Sequence, residues 1–217
     1  MTAETLSPDL LIRALRRNAS RPAIVSGDQT FSAADVAAEI SRYAQAYEHW
    51  GIGVGTPIAT LAGNRPEVLL QIGANMVSGA RATALHPMGS LDDHAYILED
   101  AGIETLFYDP ATYEQRAFDL AERVPGLKRL VALAPGAESP DLPTVAARFG
   151  ARRLRSPDVR PDMPYQVAYT GGTTGKPKGV VGTWRSQVTL TTILLAEWDW
   201  PAGSRFLCCT PLSHAGR

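Results

Sequence analysis

The sequence predicts an α/β fold: a layered parallel β-sheet with helices on both faces, followed by a second lobe that is begun and left incomplete. Three observations carry that reading. Short apolar runs alternate with longer stretches of helical periodicity, which is how strand–helix–strand units read. The chain has 217 residues, 45% of them apolar, enough for a substantial buried core. No internal repeat or low-complexity segment interrupts the pattern.

The elements follow in order. Ser7 and Pro8 read as an N-cap and first helical residue, and Leu10, Leu11, Ala14 and Leu15 share one helical face. Residues 23–25 form a short strand, Gly27 and Asp28 a turn, and Thr30 and Phe31 resume extended structure. Ser32, with Asp35 three residues on, is a capping-box start. Its helix carries Val36, Ile40, Tyr43 and Tyr47 on one stripe and ends in the glycines at 51–55. Residues 58–62 are a strand, and Asn64 caps a helix to about residue 78. The same alternation gives strands at 82–85, 103–108 and 130–133. Helices fall at 90–98, 113–123 and 145–149. Residues 135–164 are rich in proline and read as a connection between a first subdomain, 1–134, and a second, 165–217. The second holds a strand at 166–170, a glycine–threonine loop, a helix at 183–197 and a final strand at 205–209.

A formal net charge of −1 argues against nucleic-acid binding by phosphate neutralisation. No apolar run approaches the roughly 20 residues that span a bilayer. The first ten residues hold two acids and no base, unlike a signal peptide. Cys208 and Cys209 are adjacent, a poor geometry for a bridge and the wrong spacing for a metal. These features read as a reduced, cytoplasmic protein without a transmembrane segment. His49, His86 and His94 read as structural, and Trp184, Trp198 and Trp200 as packing residues.

Of 21 basic residues only three are lysine, Lys128, Lys176 and Lys178, and two of those sit in one loop. Residues 169–180 read Tyr-Thr-Gly-Gly-Thr-Thr-Gly-Lys-Pro-Lys-Gly-Val. Glycines let backbone amides approach a ligand, threonines add hydroxyl donors and lysines add charge: together, a phosphate cradle. The loop follows a strand and is expected to precede a helix. It is not a Walker A loop, because Thr170 and Pro177 stand where that pattern needs glycine and serine or threonine. Nor is there a dinucleotide fingerprint, since Gly51-Ile52-Gly53 runs on to Thr56. A bland surface loop would have no reason to concentrate the scarce lysines.

This loop resembles that of the adenylate-forming enzymes, Y-T-S-G-T-T-G-x-P-K-G-V, departing from it only at Gly171, where the family has serine. Residues 29–40 resemble the family's early L-T-Y-x-E-L motif, and 79–107 its second region. Pro211, Leu212, His214 and Gly216 fall on its P-L-x-H-x-x-G segment. The stretches TALHPMGSLDDHAYIL and CTPLSHAG bring the match nearest to bacterial fatty-acyl-CoA ligases.

The resemblance implies a chemistry. A carboxylate attacks the α-phosphate of Mg-ATP to give an acyl-adenylate and pyrophosphate, and coenzyme A then displaces AMP. The implied cofactors are ATP, Mg2+ and coenzyme A, and the implied substrate a fatty or other carboxylic acid. Thr170, Gly171, Gly172, Thr173, Thr174 and Gly175 would wrap the β- and γ-phosphates, with Gly171 lacking one hydroxyl donor. Lys178 would pair with them as a point charge. His214 would line the acyl pocket. No catalytic residue and no metal ligand is assigned. The family's later motifs and its C-terminal lysine lie outside this sequence. The expectation is therefore a ligase fragment that is inactive alone and that self-associates or docks onto the missing remainder. An aryl- or amino-acid-activating enzyme and a non-catalytic nucleotide-binding fragment are the alternatives.

Overall fold

The computed structural model describes residues 4–170, 175–201 and 203–213. Helix α1 (Ser7–Arg17) leads into an antiparallel hairpin, β1 (Pro22–Ser26) and β2 (Gln29–Ser32), which feeds α2 (Ala33–His49). Then follow β3 (Pro57–Leu61), α3 (Pro66–Ser78), β4 (Arg81–Ala84), α4 (Leu91–Asp100), β5 (Thr105–Tyr108), α5 (Pro110–Arg123), β6 (Arg129–Ala132) and α6 (Leu142–Ala146). The chain closes with β7 (Pro164–Thr170), β8 (Lys178–Thr183) and α7 (Trp184–Glu197).

Six strands form one sheet in the order β6-β5-β3-β4-β7-β8. The first five run parallel; β8 is antiparallel to β7. The proline-rich stretch carries the chain from β6, at one edge, to β7 beside β4. Alternation along the central strands distributes side chains between two cores. On β5, Phe107 packs with α2 and α3, while Leu106 and Tyr108 pack with α4 and α5. On β3, Ile58 faces the first core, and Ala59 and Leu61 the second. A parallel sheet buried on both faces needs this continuous apolarity, which is why β5 reads Thr-Leu-Phe-Tyr without a charge.

Helix ends follow local chemistry. Ser32 Oγ accepts the Asp35 N–H, and the Asp35 carboxylate accepts the Ser32 N–H, the predicted capping box. The Ser32 hydroxyl bond, followed by this backbone bond, holds the Asp35 carboxyl below its ordinary value. Gly79 ends α3 in the left-handed region (φ 72°), where a Cβ would also stand 2.9 Å from Val54 Cγ2.

Four expectations are corrected. The first helix begins at Ser7, with Leu6 as cap, because the Asp9 carboxylate takes the Leu6 N–H at 3.0 Å. Arg65, not Asn64, flanks α3, because the Asn64 side chain is committed elsewhere. The lysine-bearing loop leads into strand β8, not directly into a helix. Val180 and Val181 favour extended structure, and the helix waits for the Thr183 cap. Finally, residues 205–209 form no strand. Phe206 and Leu207 are exposed, and no neighbouring edge pairs with them.

Candidate functional site

Parallel strands present their C-terminal ends along one rim of a sheet, and ligands of open α/β folds gather there. Here that rim collects Thr170 with residues 175–178, the turn after β3 and the chain at 210–213.

The loop is the connection of a β-hairpin. Thr170 at the end of β7 pairs with Lys178 at the start of β8. Thr170, Gly175 and Lys178 are all exposed. Among the described residues neither Lys176 nor Lys178 lies within ion-pair distance of a carboxylate. An unpaired ammonium beside an exposed hydroxyl and a glycine-rich turn can receive an anion. Gly171, Gly172, Thr173 and Thr174, also assigned to the phosphates, lie outside the described residues.

The loop's stems rest on α4. The Tyr169 hydroxyl donates to Asp100 Oδ2 at 2.5 Å, and Lys176 Nζ lies 4.8 Å from the Tyr96 ring centroid. Burial first, and the neighbouring Asp100 second, push the Tyr169 phenol well above its ordinary value, so it stays a donor.

After β3, Asn64 reaches across to the end of the described chain. Its amide donates to the Thr210 carbonyl at 2.9 Å and its carbonyl accepts the Leu212 N–H at 2.8 Å. Leu212 is buried in the first core. Leu212, two residues before His214, is thereby held at the rim; His214 itself lies outside the described residues. Next to Asn64, Arg65 bonds Asp109 at 2.5 Å and Glu67 at 2.9 Å. Burial works against the Arg65 charge, but Glu67 and Asp109 outweigh it and hold the guanidinium above its ordinary value. Asp109 also accepts the Ala111 N–H at the start of α5. The turns after β3 and β5 are thus tied together.

His94 is buried on α4; its Nε2 donates to the His86 carbonyl at 2.9 Å and its Nδ1 accepts from Arg116 at 3.3 Å. Burial, first, depresses its basicity, and the neighbouring Arg116 adds to that against the His86 bond. The His49 ring lies tilted beside Phe149, and Trp184 is buried against Tyr165. Trp198 and Trp200 pack on one another but remain exposed. Both cysteines are free. Among the described residues no group of His, Cys, Asp or Glu is arranged to hold a metal ion, and no helix is long and apolar enough to cross a membrane.

Sequence reasoning missed Asn64, Arg65, Asp109, Tyr96 and Asp100. Each acts through a partner at least 44 residues away, a separation that no local pattern reports.

Known proteins share this chain's features. A family model described as AMP-binding enzyme matches residues 11–217. The chain is 46% identical over 222 residues to the medium/long-chain-fatty-acid–CoA ligase FadD8 of Mycobacterium tuberculosis, covering 100% of this chain and 39% of that protein. It is 28% identical to the indoleacetate–CoA ligase of Aromatoleum aromaticum, over 90% of this chain and 38% of that one. Its fold resembles the o-succinylbenzoate CoA synthetase MenE of Bacillus subtilis, solved with its acyl-adenylate intermediate: TM-score 0.79, 23% identity, 97% of this chain and 51% of that one. It also resembles a putative long-chain-fatty-acid CoA ligase of Rhodopseudomonas palustris, with TM-score 0.80, 18% identity, and coverage of 91% and 49%. The chain thus spans about two-fifths of the length of these curated relatives. With the loop, the sheet rim and the family match in agreement, the chain belongs to the AMP-binding enzyme family.

Proposed function

We propose that this chain is the nucleotide-phosphate-binding N-terminal portion of an AMP-forming acid–thiol ligase acting on a fatty acid. The observation that carries the reading is the paired and exposed Thr170 and Lys178 at the base of the hairpin, with Lys178 unpaired among the described residues. In the complete enzyme a carboxylate oxygen attacks the α-phosphorus of ATP, the bond to the β-phosphate bridge breaks, and pyrophosphate leaves. The thiol of coenzyme A then attacks the acyl carbon, AMP departs with the bonding pair, and the thiol proton passes to solvent. Such transfers depend on positioning and on charge placed where charge develops. Thr170, Gly175 and Lys178 suit that task on the β- and γ-phosphates, together with residues 171–174. Mg2+ would accompany the nucleotide phosphates. His214 would stand at the acyl pocket, directly after the Leu212–Ser213 anchor.

The fatty-acid choice rests on the 46% identity to a fatty-acid–CoA ligase. The aryl alternative draws on the 28% identical indoleacetate–CoA ligase. Two experiments separate the claims. Equilibrium binding of ATP and AMP to the chain and to Lys178→Ala tests the loop. The variant should lose about tenfold for ATP, about 1.4 kcal/mol, and much less for AMP, which lacks the outer phosphates. Equal losses for both nucleotides overturn the assignment. Pyrophosphate exchange into ATP, with fatty, aryl and amino acids on the complete polypeptide, names the acid. Exchange with aryl acids alone would replace the fatty-acid reading.

A further inference from the structure

One face of α4 holds both stems of the loop. Tyr96 and Asp100 are four residues apart, so their side chains lie on the same side of the helix. Asp100 accepts the hydrogen bond of Tyr169, which immediately precedes Thr170. Tyr96 lies under the ammonium of Lys176, on the far side of the loop. The fit depends on a third position. Gly179 pairs with Tyr169 across the hairpin, and a Cβ there would stand 3.1 Å from Tyr169 Cζ and 3.2 Å from its hydroxyl. The phenol ring crosses the neighbouring strand where a side chain would crowd it. Arg81, a further charge bearing on Tyr169, is itself bonded to the Ala101 carbonyl at the end of α4.

We propose that Asp100 and Tyr96 are positioning residues for this loop, holding its two stems at Tyr169 and Lys176 against α4, so that Thr170, Lys176 and Lys178 are placed for a triphosphate. The proposal rests on the reading that this loop takes nucleotide phosphates. Stems fixed in advance strengthen binding because part of the ordering cost is met before the ligand arrives. Tyr96 has a second consequence. A cation over a ring face is held less strongly than one against a phosphate, so Lys176 rests on Tyr96 and transfers to the anion when it binds. Neither α4 residue touches the nucleotide; both act through Tyr169 and Lys176.

The test uses Asp100→Ala, Asp100→Asn, Tyr169→Phe and the Asp100→Ala/Tyr169→Phe double variant. It reads amide hydrogen exchange of residues 170–178 without nucleotide, the ATP dissociation constant, and the melting temperature. Asp100 is exposed, so Asp100→Ala should leave the melting temperature unchanged while raising loop exchange several-fold and weakening ATP about tenfold. Asp100→Asn keeps an acceptor oxygen and should restore both. Tyr169→Phe should match Asp100→Ala, and the double variant should add nothing. Unchanged loop exchange in Asp100→Ala, or additive losses in the double variant, overturns the proposal. If the parent chain binds no ATP while exchange still rises in Asp100→Ala and returns in Asp100→Asn, the anchoring stands and the nucleotide reading falls.

Discussion

Asn64 and Leu212, 148 positions apart, are joined by a 2.8 Å hydrogen bond from the Leu212 N–H to the Asn64 side-chain carbonyl. The same amide group donates to the Thr210 carbonyl, so one side chain satisfies two backbone groups of a segment that belongs to no strand or helix. Asn64→Ala should release this segment. The Leu212 amide should exchange about tenfold faster, in keeping with a net hydrogen-bond contribution of about 0.5–1.5 kcal/mol. Asn64→Asp keeps the acceptor and should fall between. Unchanged exchange in Asn64→Ala would mean that burial of Leu212 alone holds the segment.

The α2–α3 interface depends on a missing side chain. A Cβ on Gly73 would collide with Ile40 Cδ1 and stand 2.7 Å from its Cγ1, and Ile40 is 1% exposed. Alanine favours a helix interior by about 1 kcal/mol over glycine, yet overpacking a core costs about 1–3 kcal/mol. Gly73→Ala should therefore destabilise in denaturant unfolding. Adding Ile40→Val, which removes the colliding methyl, should recover part of the loss. A stabilised single variant would show that α2 and α3 can separate freely.

His94 gives stability a pH dependence of definite sign. Its folded basicity lies below the ordinary value of 6.5, chiefly through burial. Below that value the unfolded chain takes up a proton that the folded chain resists, so stability falls as the pH drops through about 6.5 and below. Above it both states are neutral and the effect vanishes. Unfolding free energies measured from about pH 8 to about pH 5 should show this loss, and His94→Gln should flatten it. An unaltered slope in the variant would move the effect to another group.

The edge formed by β8 and α7 leaves apolar surface open. Val180, Val181 and Ile193 are 55%, 58% and 52% exposed, and Leu207 beyond α7 is 83% exposed, while Val167 on β7 is buried. We expect this chain to self-associate through that edge, seen as mass rising with concentration in light scattering. Val180→Thr with Val181→Thr keeps strand propensity and should weaken the association about tenfold. A monomer at every concentration would count against it.

The sequence by itself determined the alternation of strands and helices, the Ser32–Asp35 cap and the family resemblance carried by residues 169–180. Each is local: a period, a spacing of three, or a run of residue types. Val180 and Val181 also carried the signal for β8, but flanking glycines obscured it. The tertiary structure alone decided the antiparallel turn of β8, the failure of residues 205–209 to form a strand, and the reach of Asn64 to Leu212. It alone brought Tyr96 and Asp100 beneath the loop. Those outcomes depend on which edge is free to pair and which distant polar group needs a partner, and both arise only once the chain has folded onto itself.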